Sequence, residues 1–197
     1  MANNKVTISA IALAPSDPNT IFAGAEDGRV FKTTNAGNDC KPNCPTWTEV
    51  DNGLPPLFAD QRVMDLAISP TNPDFDFAVT SPFMERDDST PDYRAFFHVW
   101  MRNGGAWSQI NGNLPTELGG ESLAVDWQHA TPVLYISTLR GAYVSRNLGT
   151  TWTPMHTLPR TRVTDLDFVP NLHLLGAGTI EWGAWEINTK EQIKRLH

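Results

Sequence analysis

The sequence predicts an all-β chain: an array of β-propeller blades, each a four-stranded antiparallel sheet. Three observations carry this. A phrase of apolar residues ending in a Pro/Asx turn recurs along the chain. The same order of short strands follows each copy. No segment of the 197 residues shows a sustained 3.6-residue apolar period.

The recurring phrase opens each unit. It reads Ile11-Ala-Leu-Ala-Pro-Ser-Asp-Pro-Asn19 in the first and Leu66-Ala-Ile-Ser-Pro-Thr-Asn-Pro-Asp74 in the second. Leu123-Ala-Val-Asp-Trp-Gln-His-Ala-Thr131 keeps the apolar start without the prolines, and Leu166-Asp-Phe-Val-Pro170 keeps only the beginning. The starts lie 55, 57 and 43 residues apart, a spacing that suits a blade with loops of variable length. A second strand is expected over Thr20 to Ala25, Phe75 to Thr80, Val133 to Thr138 and Leu174 to Thr179. A third is expected over Arg29 to Thr34, Ala95 to Met101, Gly141 to Ser145 and Gly183 to Ile187. Trp47, Trp107 and Trp152 each lead a fourth strand, and these units close on Leu54-Pro55, Leu114-Pro115 and Leu158-Pro159. β-branched and aromatic runs divided by Gly, Pro, Asn and Asp are the composition of antiparallel sheet and its turns. Only Thr189 to His197 suggests a short terminal helix.

The expected organisation is therefore one domain, 1–197, with blades over 6–55, 62–115, 119–159 and 163–190, the last lacking its fourth strand. Such an array either closes into a small ring through its first strand region or is completed from outside. An open array leaves apolar blade surface in water, so completion by a second copy, a homodimer, is the preferred expectation.

Composition narrows the function. Hydrophobic residues make up 40% and charged residues 19%, as in ordinary globular proteins. A net charge of −7 and the lack of a dense Lys/Arg cluster argue against nucleic acid. No apolar run approaches the ~20 residues that span a bilayer, so membrane insertion is not expected. The opening residues show no signal peptide, and the compartment stays open. Cys40 and Cys44 read first as a local disulfide, then as free thiols and last as metal ligands. A disulfide would place the chain in an oxidising compartment, secreted or periplasmic.

Ser145-Arg-Asn147-Leu-Gly149-Thr-Thr151-Trp152 resembles the Asp-box, whose pattern is Ser-x-Asp-x-Gly-x-Thr-Trp, with Asn147 in the Asp place. Thr33-Thr-Asn35-Ala-Gly37 followed, after an insert, by Thr46-Trp47 resembles a split box, and Gly104 and Trp107 are all that a third keeps. The resemblance spans nearly the whole chain and implies the Asp-box (bacterial neuraminidase repeat) propeller superfamily, with its sortilin-like and xyloglucanase-like members. It implies that the box is a folding device between third and fourth strands, with Gly supplying positive φ and the Trp ring packed over the turn. It says little about activity. The arginine and tyrosine-glutamate signatures of sialidases are missing.

Candidate ligand residues are drawn from loops. Trp127 and Trp182 stand outside the boxes, where aromatics favour protein contacts or sugar stacking. Glu26, Asp27 and Glu181 lie in turns between second and third strands, and Asp65 and Asp165 in first strands. The long insert after Pro82 adds Met84 and Tyr93. No catalytic motif, cofactor motif or metal signature occurs. The function expected is a non-catalytic binding or assembly module for a protein or glycan. The alternative is a relative or fragment of a propeller glycoside hydrolase, which needs two facing carboxylates.

Overall fold

The computed structural model describes residues 6–37, 44–54, 61–82, 98–115 and 119–190. Cys40, Pro55, Met84, Tyr93, the rest of the insert after Pro82 and the last seven residues lie outside them, so the expected disulfide does too, as does the expected terminal helix beyond Thr189 and Lys190, which are helical. Four antiparallel sheets follow one another along the chain. The first holds β1 (Ile8–Leu13), β2 (Ile21–Ala25), β3 (Val30–Thr33) and β4 (Thr48–Glu49). The second holds β5 (Gln61–Ile68), β6 (Phe75–Pro82), β7 (His98–Asn103) and β8 (Trp107–Gln109). The third holds β9 (Gly120–Asp126), β10 (Val133–Thr138), β11 (Gly141–Ser145) and β12 (Thr153–Pro154). The fourth holds, among the described residues, β13 (Val163–Val169), β14 (Leu174–Thr179) and β15 (Gly183–Asn188). Each sheet is a meander, every strand pairing with the next.

Period-2 alternation decides what each face meets. In the second strands, Phe22, Phe77 and Tyr135 occupy one register position and point toward the following sheet. The neighbouring positions Ala78, Leu134, Ile136, Leu175 and Ala177 point back toward the preceding one. β10 is buried along its whole length because the third sheet is covered on both faces. The buried apolar side chains form three clusters, one at each junction between consecutive sheets. No cluster joins the fourth sheet to the first, so the described residues do not close into a ring.

The ends of the array differ. On β1, Ala10 and Ala12 pack inward, while Ile11 is 65% and Leu13 61% exposed. Their counterparts Leu66 and Ile68, Leu123 and Val125, and Leu166 and Phe168 are all buried against the sheet before them. On the outward face of the fourth sheet, Gly176 stands where the other units have an aromatic, beside exposed Asp167 and Glu186.

Candidate functional site

The turns between second and third strands lie at one end of the array. Glu26 and Asp27, Arg140, and Ile180 to Trp182 gather there. Asp27 is committed to Arg29, Oδ2 lying 2.7 Å from Nη2. Arg62 of the second sheet pairs with Glu26 at 3.0 Å, tying the two sheets together. Glu181 accepts a long bond from Thr161, and Trp182 is 62% exposed, its backbone N–H held by Thr179 Oγ1 at 3.1 Å. Trp182 is thus an open ring on a fixed turn.

Asp65 and Asp165 sit at the same end on first strands, and the buried Ser122 stands between them. Ser122 Oγ donates to Asp65 Oδ2 at 2.9 Å and lies 3.4 Å from Asp165 Oδ1, while accepting from Leu166 N–H at 3.2 Å. A hydroxyl has one proton, so the shorter contact takes it. Asp65 also accepts the Leu123 and Leu66 N–H groups, each at 2.8 Å. Burial raises the Asp65 carboxyl above its ordinary range, against those hydrogen bonds, and the nearby Asp165 charge pushes the same way. Three sheets are stitched together here. Ser122 carried no sequence signal, because the matching positions hold Ala10, Asp65 and Asp165, none of them a hydroxyl residue.

Trp127 lies at the opposite end, half-buried against Phe75 and Phe77 at ring-centroid distances of 5.8 and 5.5 Å. The structure therefore places it apart from Trp182 and the carboxylates, filling the junction of the second and third sheets. Among the described residues no group of three or more His, Cys, Asp or Glu is arranged to hold a metal ion.

The third-unit turn closes on itself. Asn147 Oδ1 accepts from Ser145 Oγ at 3.0 Å and from Thr151 N–H at 2.9 Å, Gly149 N–H donates to Ser145 Oγ, and Gly149 has φ +77°. In the first unit Asn35 Oδ1 accepts from Thr33 Oγ1 and Thr46 N–H, both at 2.9 Å. Gly104 has φ +71°, whereas Gly37 does not adopt positive φ.

The tryptophans also do what the sequence did not suggest: their indole N–H groups reach across to the sheet before. Trp107 Nε1 donates to Val50 O at 2.8 Å, and Trp152 Nε1 donates to Ile110 O at 3.0 Å. Their backbone N–H groups bond Asn52 O and Asn113 Oδ1. Both rings are 3% exposed. The same close approach explains two glycines, Gly53 just before Leu54 and Gly112 two residues before Leu114: both have positive φ, and a Cβ there would overlap the backbone of Trp107 and of Gly149-Thr150. Trp47 has no described sheet before it and is 48% exposed.

No family model matches the chain, and no curated protein matches it. Solved structures do. The chain resembles the WD40 repeats of RRP9 (TM-score 0.59, 14% identity), covering 96% of this chain and 50% of that one. It resembles an ancestral GH74 enzyme (TM-score 0.62, 14% identity), covering 92% and 23%. The β-propeller domain of Myceliophteria thermophila Cps50 (Swd1) matches with TM-score 0.54 and 15% identity, over 92% and 50%. The chain thus spans about half the length of the RRP9 domain. At these identities the likeness shows the fold: the four sheets are blades of a β-propeller.

Proposed function

We propose that the chain is a non-catalytic propeller module that acts by binding and assembling with a protein, a second copy being the partner at its first blade. The observation that supports this is the uncovered face of blade one. Ile11 and Leu13 stand exposed where every other unit buries the equivalent residues, and Trp47 stands exposed where the second and third units bury Trp107 and Trp152. Apolar area of this kind favours association by roughly 25 cal/mol per Å² removed from water. We take the blades to span 6–55, 62–115, 119–159 and 163–190 of one domain, and the hydrogen-bonded turn at Ser145–Trp152 supports grouping the chain with Asp-box propellers. Static light scattering on the chromatographed protein is expected to give twice 21.8 kDa. A monomer at every concentration would refute association through this face.

A glycoside-hydrolase reading has one observation behind it: Asp65 and Asp165 approach one hydroxyl, at the same end of the blades as the exposed Trp182. Against it, Asp65 spends both oxygens on Ser122 and two backbone N–H groups. That use is structural, and a carboxylate so engaged is a poor acid or nucleophile. Release of reducing sugar from β-glucans, lost in Asp165→Asn, would restore the enzymatic reading.

A further inference from the structure

On its side toward the fourth blade, the third unit holds a partly open cavity of about 270 Å³, lined in part by the buried Ala142, Met155 and Leu158, with Arg140, His156 and Arg160 also on its wall. Its position in the repeat tells what it is shaped for. Val50, Ile110 and Met155 each donate their backbone N–H to the first or second residue of the third strand beside them, at Val30, Val99 and Ala142, so the three sets are equivalent. At the first junction Trp107 packs with Val30, Val50 and Leu54. At the second, Trp152 packs with Val99, Ile110 and Leu114. At the third, the matching Ala142, Met155 and Leu158 are in place, and no tryptophan of a fourth strand reaches them, because the fourth blade has only three strands among the described residues. The cavity is the socket that an indole fills in the other two junctions.

The edge beside it is prepared in the same way. β15 pairs only with β14 among the described residues, leaving one ladder of backbone groups on its outer side. In the second blade the leading Trp107 stands opposite Arg102 of the third strand, and Ser108 and Gln109 opposite the two residues before it. Transferred to the fourth blade, that register puts an incoming tryptophan opposite Ile187 and its next two residues opposite Glu186 and Trp185.

We propose that this edge and socket form a docking site for an extended, tryptophan-led segment of a partner protein. The segment adds to β15 as a fourth antiparallel strand and inserts its indole among Ala142, Met155 and Leu158. Backbone pairing supplies the general affinity and the indole socket the specificity, as in other strand-addition complexes. Arg140 and Arg160 favour a segment that is neutral or acidic beside the tryptophan. The site deepens the reading of the chain as a partner-binding propeller and lies at the opposite end of the array from Ile11 and Leu13.

The test uses the full 197-residue chain and a fluorophore-labelled peptide copying Ala106 to Asn111 of the second blade. Anisotropy is expected to saturate below about 1 mM, with the peptide's Trp→Ala version at least about tenfold weaker. Ala142→Phe, which fills the socket from within, is expected to abolish binding. Amide shift changes on the native chain are expected at Ala142, Met155, Leu158 and β15, which keeps the test decisive if Ala142→Phe does not fold. Absence of saturable binding, equal binding of both peptides, or shift changes elsewhere would each overturn the proposal. None of these would touch the first-blade association, which is read independently by solution mass.

Discussion

Asp76 and Arg102 carry the most concentrated charge in the interior. Arg102 donates Nε to Asp76 Oδ2 at 2.7 Å, with a second contact from Nη2 to the same oxygen. It also reaches Asp74, which Lys32 of the first blade approaches at 2.9 Å, and lies over the Phe22 and Trp107 rings at 5.3 and 5.8 Å. Asp76 Oδ1 is buried without a hydrogen bond, and burial pushes this carboxyl up to about 6 in spite of Arg102. A carboxyl raised in the folded state stabilises fully below its unfolded value of 3.8, and that contribution is lost as pH rises through about 6. Arg102→Met strips the cation from a buried carboxylate and is expected to cost about 3–5 kcal/mol at pH 7. The loss should be smaller near pH 4, where the lone carboxyl is neutral. Chemical denaturation at the two pH values checks this, and an equal loss at both would show that Asp76 does not titrate in this range.

At the level of elements, the fourth strands matter less for their short ladders than for the tryptophans that lead them. Trp152 joins blade three to blade two through Ile110 O and Asn113, and the Asn113 Nδ2 group returns a bond to Trp152 O at 3.1 Å. Trp152→Ala is expected to destabilise by about 3–5 kcal/mol, the cost of a large buried ring. Trp47→Ala, at the same motif position but without a blade before it, should cost under about 1 kcal/mol in the monomer. Thermal melts of the two variants decide between this and a ring packed over its own turn, which predicts similar losses. The strands themselves were legible in the sequence: Val133–Thr138 and Gly141–Ser145 are found where turn residues and alternation put them. The partner of each tryptophan was not, because the chemistry of a box lies within eight residues while the carbonyl it reaches lies about forty or more residues upstream. Glu26, Asp27, Asp65, Asp165, Glu181 and Trp182 share one end because connected strands alternate direction, a placement the repeat order implied. Trp127 looked like a free loop ring only because Phe75 and Phe77, which cover it, are distant in sequence.

For the whole molecule, the question is how an open array of four blades is completed, and its two end faces answer differently. Blade one keeps the features by which a blade receives a predecessor: Ile11 and Leu13 on its first strand and Phe31 at the position of Trp100, Tyr143 and Trp185, as in blades two to four, and Trp47 leading its fourth, as in blades two and three. The outward face of blade four has lost the features by which blades one to three present themselves to a successor. Gly176 replaces the aromatic, Glu186 stands where blades two and three have the apolar Met101 and Val144 and blade one has Lys32, and exposed Asp167 adds a second negative charge. A head-to-tail ring of two copies would press Ile11 and Leu13 against those carboxylates and leave a gap at Gly176, at a desolvation cost of several kcal/mol per unpaired charge. An isologous pair joined blade one to blade one buries apolar residues on both sides and leaves the acidic ends far apart. Ile11→Lys with Leu13→Lys is therefore expected to turn the proposed dimer into a folded monomer, its melting temperature lowered only by the association it has lost, since both side chains are already in water in the single chain. Asp167→Lys with Glu186→Lys is expected to leave the dimer intact. Light scattering on the two double variants separates the arrangements: a ring is broken by both, and a first-blade pair by the first alone.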